Sequence, residues 1–266
     1  MKPVKTYTLI TGGTEGIGYE LAKQFAEQGH NLIIVARDES QLETTKSDLQ
    51  VTGIEVVTIS KDLFEAEAPF ELYEEVRNKN LAVDILVNNA GQGVYGLFEE
   101  TDIRRELAIV QLNIASLTVL TKLFLQDMLD RGEGKILNVS SIASKAPGPW
   151  QSVYHGTKAF VQSFSEAVRS EVKDKGIVVT TLLPGATDTD FFNKADMQSS
   201  KAVQDKDKLS DPADVAKDGY EALMKGDDKV ISGMKNKASV AMSNVMTDSA
   251  AADMMKKQQE PATKNK

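Results

Sequence analysis

The sequence predicts a doubly wound α/β domain built on a parallel sheet. Two observations carry this. Short, near-continuous apolar runs alternate with helical patterns along most of the chain, the pattern of strands buried on both faces by crossover helices. The first run also passes through a cluster of glycines directly into a helix, the strand–turn–helix order of an anion-binding βα unit.

The elements follow in order. Thr6–Ile10 reads as a buried strand and Gly16–Gln28 as a helix, then Asn31–Ala36 as a strand and Glu39–Gln50 as a charged amphipathic helix. Glu55–Ser60 is the third strand, Pro69–Asn78 a helix and Asp84–Asn88 the fourth strand. A long helix is expected over Asp102–Asp130, a strand over Gly134–Ser140, a second long helix over Ser152–Lys173 and a strand over Ile177–Leu183. Pro212–Met224 is the last clear helix and Lys229–Ser232 a short final strand. No composition break precedes residue 233, so residues 1–233 read as one domain. Residues 234–266 turn to Lys, Ser, Met and Asp and read as an extension with a partly ordered helix and a polar tail.

Composition narrows the function. The chain has 266 residues, with 31 Lys and Arg against 39 Asp and Glu, a net charge of −8 that argues against nucleic acid as partner. Without cysteine, and with two histidines, neither a disulfide framework nor a metal site is expected. The most apolar helical stretch, Leu117–Leu125, is short and interrupted by Lys122. No bilayer span is therefore expected, and the N-terminus lacks a signal-peptide pattern. The expected location is cytoplasmic.

The chemistry begins in the turn Thr11-Gly12-Gly13-Thr14-Glu15-Gly16-Ile17-Gly18. Gly12 permits the turn, Gly16 lets a pyrophosphate approach the backbone, and Gly18 allows tight helix–sheet packing. Its T-G-x-x-x-G-I-G spacing resembles that of the short-chain dehydrogenase/reductase family. Further segments resemble the family in the same order: Asp62-Leu63 after the third strand, Asn88-Asn89-Ala90-Gly91 after the fourth, Tyr154-x-x-x-Lys158, and Pro184-Gly185 followed by Thr187 and Thr189. The resemblance spans roughly residues 6–233 and implies a Rossmann-type fold, a nicotinamide cofactor and homo-oligomers, usually tetramers or dimers.

From the resemblance, Asp62 is expected at the adenine, Asn89, Ala90 and Gly91 on the cofactor floor, and Thr189 at the carboxamide. Tyr154 and Lys158 share one helical face, and a nearby ammonium should lower the phenol pKa and ready Tyr154 as general acid or base. The family's pattern also gives Lys158 the nicotinamide ribose, Ser141 the substrate oxygen and Asn113 a relay water. Ser140 competes with Ser141, but strand alternation points it elsewhere. His30 and His155 are assigned no chemistry.

For the cofactor, Ala36 and Arg37 stand where relatives selective for NAD carry a ribose-binding acid. A small residue followed by a guanidinium suits a 2′-phosphate and favours NADP over NAD. Asp38 and Glu15 leave the choice open. Tyr95, Trp150 and Phe191 are the expected substrate wall, suited to a bulky or aryl ketone. The leading reading is an NADPH-dependent ketone reductase acting on a small-molecule ketone or secondary alcohol. A 3-oxoacyl thioester reductase and a non-catalytic dinucleotide-binding regulator are the alternatives.

Overall fold

The computed structural model describes residues 5–262 except Asn244. Seven strands form one sheet: β1 (Thr6–Thr11), β2 (Asn31–Ala36), β3 (Val56–Ser60), β4 (Ala82–Asn88), β5 (Gly134–Val139), β6 (Ile177–Leu183) and β7 (Lys229–Ile231). Their spatial order is β3-β2-β1-β4-β5-β6-β7, and every pairing is parallel. This is the Rossmann-type doubly wound architecture.

Alternation along each strand builds two cores. On β1, Leu9 joins Ile33, Leu72, Phe124 and Met128 on one face, whereas Ile10 joins Leu21, Phe25, Ile34 and Leu223 on the other. The helices supply the matching stripes. α1 (Gly16–Glu27) buries Leu21, Ala22, Phe25 and Ala26, and α8 (Pro212–Lys225) buries Val215, Ala216, Gly219, Ala222 and Leu223. His30 packs edge-on against Phe25 and Tyr220, a packing role in keeping with its lack of assigned chemistry.

Helix starts follow capping chemistry. Asp38 accepts from Gln41 N at the start of α2 (Glu39–Gln50), and Asp211 accepts from Ala213 N ahead of Pro212 in α8. α3 (Ala68–Asn78) likewise carries a proline in its first turn. On the β4–β5 crossover the structure differs from the uniform helix expected. α4 (Ile103–Val110) passes into a π-helical segment, Gln111–Ser116, before α5 (Leu117–Arg131). Such widened turns occur frequently at functional sites.

The same rod corrects the expectation about membrane-spanning length. Ile103–Arg131 runs for 29 residues and is, by length and composition alone, apolar enough to cross a bilayer. Reading Leu117–Leu125 in isolation underestimated it. Leu117, Leu120, Phe124 and Met128 are buried in the protein core, so much of its apolar surface is already used in covering the sheet.

Two further elements, one long and one short, frame the sheet's carboxyl edge. α6 (Ser152–Val172) carries the Tyr–Lys pair, and the short α7 (Phe191–Lys194) follows β6. Beyond β7 the chain forms α9 (Met234–Ser243) and α10 (Asp248–Gln259).

Candidate active site

The sheet order reverses between β1 and β4, so loops leaving their carboxyl ends diverge and open a crevice. The glycine turn sits there. Gly12 has φ +62° and Gly16 φ +52°, conformations that only glycine adopts without strain. A Cβ on Gly16 would lie 2.9 Å from Thr189 Cγ2, and one on Gly18 would lie 2.0 Å from Gly12 O. The turn is locked onto β4 by Asn89, whose Nδ2 donates to Thr11 O and Gly12 O, both at 3.0 Å. Thr11 Oγ1 in turn accepts from the backbone N–H groups of Asn89 and Ala90.

These features fit a dinucleotide. The turn's backbone is held open to close approach, and α1 begins without a side-chain cap because Glu15 reaches Lys194 instead. Its first-turn N–H groups would then meet a pyrophosphate. Gly12, Glu15, Gly16, Ile17, Gly18, Asn89, Ala90, Gly91, Pro184, Gly185, Thr187 and Thr189 all line one cavity. Thr14, Arg37, Asp62 and Leu63 lie outside it. Thr14 Oγ1 donates to Gln41 Oε1, and Leu63 O accepts from Ser116 Oγ. The Arg37 guanidinium lies over the Phe64 ring at 5.1 Å, with Nη1 3.8 Å from Asp62 Oδ2.

Ser141, Tyr154 and Lys158 line the same cavity, which has a volume of about 330 Å3. The buried Asn113 stands directly behind it. Its Oδ1 accepts from Gln92 N at 3.0 Å, and its Nδ2 donates to Gln92 O at 2.9 Å and Thr157 Oγ1 at 3.0 Å. Thr157 Oγ1 donates on to Tyr154 O at 2.7 Å, so the π-helical turn is tied to the Tyr154–Lys158 stretch of α6. Ser140 lines the cavity as well, but its hydroxyl donates to Lys158 O at 2.8 Å.

The phenol corrects one expectation. Burial pushes Tyr154 up to about 12, with the Ser141 hydroxyl pulling weakly the other way. Lys158 does not lower it here. Its ammonium donates to Val139 O at 2.9 Å, stands 5.9 Å from the Tyr154 ring centre, and is itself lowered to about 8 by burial. Desolvation is thus the dominant effect on the phenol, and Tyr154 keeps its proton at neutral pH. Gly91 makes room for this lysine, since a Cβ there would lie 3.2 Å from Nζ.

The expected substrate wall divides. Phe191 lines the cavity, its ring 5.3 Å from that of Tyr154. Tyr95 and Trp150 stack on one another at 5.6 Å behind the wall and do not line it. Sequence reasoning also missed Gln151, His155, Met197, Met254, Met255 and Gln259, all of which line the cavity. The last three had a readable signal, because Ala251, Met254, Met255, Gln258 and Gln259 fall on one helical face.

A sheet of this order, with its glycine turn and its Tyr154–Lys158 pair on one cavity, is the short chain dehydrogenase arrangement. The model of that family matches residues 6–200, and the chain belongs to it. Among curated relatives is the very-long-chain 3-oxoacyl-CoA reductase of Anas platyrhynchos, 32% identical over 185 residues, which are 67% of this chain and 58% of the relative. The chain thus spans well under two thirds of the length of the curated relatives it matches first. Among solved structures, a short-chain dehydrogenase from Sphingobium yanoikuyae in complex with NADPH is 26% identical. It has a TM-score of 0.79 and covers 93% of this chain and 98% of its own. The bulky-bulky ketone specific alcohol dehydrogenase from Comamonas testosteroni is also 26% identical, with a TM-score of 0.76 and coverage of 94% and 98%.

Proposed function

We propose that the protein is an NADPH-dependent ketone reductase. The observation that carries this is the placement of the half-buried Tyr154 phenol on a largely apolar cavity with Ser141 and Lys158 beside it. When bound, the reduced nicotinamide supplies the hydride. Ser141 hydrogen-bonds the carbonyl oxygen and holds it toward Tyr154. Tyr154 Oη gives its proton to that oxygen as negative charge grows there, and the alkoxide being protonated is a far stronger base than a phenolate. The direction matters: an acid that keeps its proton near neutral pH is poised for reduction, whereas alcohol oxidation would need the phenolate. Lys158 uses one of its three donors on Val139 O, which leaves two for the nicotinamide ribose hydroxyls. Below about pH 8 it is charged, which strengthens its hydrogen bonds to those hydroxyls.

Arg37 supports NADPH over NADH. It follows Ala36 at the carboxyl end of β2, exposed and steadied by Phe64 and Asp62, where a 2′-phosphate would meet it. Asp38 caps α2, its Oδ1 accepting from Gln41 N. A second reading, reduction of 3-oxoacyl thioesters, is supported by the 32% identity to a reductase of that kind. The test is a panel of aryl, alicyclic and small ketones and a 3-oxoacyl thioester, with NADPH and NADH each followed by absorbance. Ketone turnover with NADPH preferred supports the first reading. Turnover of the thioester alone would replace it with the second, and turnover of neither would overturn both.

A further inference from the structure

The chain beyond β7 forms one side of the site. Ser239 and Val240 on α9, and Met254, Met255, Gln258 and Gln259 on α10, line the same cavity as Tyr154 and Phe191. α10 buries Ala251 and half-buries Met254 and Met255, while Asp253, Lys256 and Lys257 are exposed. The helix is therefore two-faced, and its inward face meets the catalytic space rather than the main cores.

The end of α10 is pinned beside the catalytic helix. Gln259 O accepts from Tyr95 Oη at 2.6 Å and from Ser200 Oγ at 2.9 Å, and Gln259 Nε2 lies 2.9 Å from His155 Nε2. The roles in that last contact follow from the other ring nitrogen. His155 Nδ1 is 2.8 Å from Ala146 O, which can only accept, so Nδ1 carries the hydrogen. The ring is buried and held neutral, so Nε2 accepts and the Gln259 amide donates. That assignment leaves Gln259 Oε1 buried with no partner.

We propose that α10 is the outer, substrate-contacting wall of the site, and that Met254 and Met255 select ketones bearing bulky apolar groups over small ones. Met197, Phe191 and Phe192 line the same cavity. Thioether side chains are polarisable and unbranched, and they mould to irregular apolar shapes. The inference rests on the ketone-reductase reading, and the experiment separates the two.

Benzophenone binding to the full-length protein is measured by equilibrium dialysis, and kcat/KM is measured for benzophenone and acetone with NADPH. The M254A/M255A double variant is expected to bind benzophenone about tenfold more weakly. Its benzophenone-to-acetone ratio of kcat/KM should fall by about the same factor, the scale of about one methylene's worth of lost apolar contact per side chain. The M254L/M255L pair should recover most of both. Gln259→Ala keeps both methionines but removes the side-chain pin, and should lower the same ratio about threefold. Unchanged benzophenone affinity in the alanine pair, an unchanged ratio in Gln259→Ala, or no benzophenone binding by wild type would each overturn the proposal. If wild type binds benzophenone through these methionines but reduces neither ketone, the wall stands and the ketone-reductase reading falls.

Discussion

Asn113 offers the sharpest test of how the site is held. The perturbation is Asn113→Ala, which deletes the bonds to Gln92 N, Gln92 O and Thr157 Oγ1. The residue is 1% exposed, so water does not readily take their place. At about 1 kcal/mol net for each hydrogen bond the sum is roughly 3 kcal/mol, and the polar groups left behind push it upward rather than down. For a domain of this size each kcal/mol moves the melting temperature by about 2–4 °C, so a drop of about 6–12 °C is expected. Asn113→Asp separates hydrogen bonding from volume. The carboxylate fills the same space but offers acceptors to Gln92 O and to a Thr157 hydroxyl already committed to Tyr154 O. It should cost at least as much as alanine at neutral pH. Scanning calorimetry of the three proteins makes the comparison. An aspartate variant melting within about 2 °C of wild type would refute the reasoning, because side-chain volume alone would then hold the turn.

Three further outcomes follow from the site. Tyr154→Phe keeps the ring and removes the proton donor, so steady-state turnover should fall by at least about 100-fold, while NADPH affinity from fluorescence titration changes little. The ammonium of Lys158 is present below its pKa of about 8 and lost above it. A pH profile of kcat/KM for ketone reduction should therefore decline through the region just above pH 8, and a flat profile to pH 10 would show that this charge does not matter. Arg37→Ala should weaken NADPH by roughly 10- to 100-fold, equivalent to about 1.5–3 kcal/mol of charge-assisted bonding, and leave NADH nearly unchanged. Equal weakening of both cofactors would move the selectivity to another residue.

Much of the architecture was legible because its signals are local. The strand before Gly12, the proline after Asp211 and the Tyr154–Lys158 spacing each declare a backbone state or a shared face within a few residues. The cofactor crevice follows from these, since the glycines and Asn89 mark where two strands end. What escaped the sequence depends on partners far along the chain. His155 finds its role only when Gln259, 104 residues later, reaches its ring. Tyr95 and Trp150 are aromatic and near the motif, yet their mutual stacking turns them into a buttress. The phenol pKa went the other way because the expectation weighed a neighbouring charge and left out desolvation, which here is the larger effect. The π-helical turn has no sequence mark of its own, and Gln111–Ser116 reads like any apolar helix.

That turn sets a constraint on the length of the chain. A residue advances an α-helix by about 100°, and a π-helical turn accommodates one residue more than an α-helical one. Everything after Ser116 is thus out of phase with everything before Gln111. Ile103 and Leu107 on α4 are exposed and Ile109 is buried, while Leu120 and Phe124 on α5 pack into the core beside the sheet. Removing a single residue between Gln111 and Ser116 would regularise the backbone and rotate one half of the rod against the other by about a quarter turn. Either α5 would lift its apolar stripe off the sheet, or Asn113 would swing away from Gln92 and Thr157. Substitutions here can be graded, but a deletion has no intermediate outcome, so this stretch should behave as a fixed ruler where the surface loops tolerate insertion and loss.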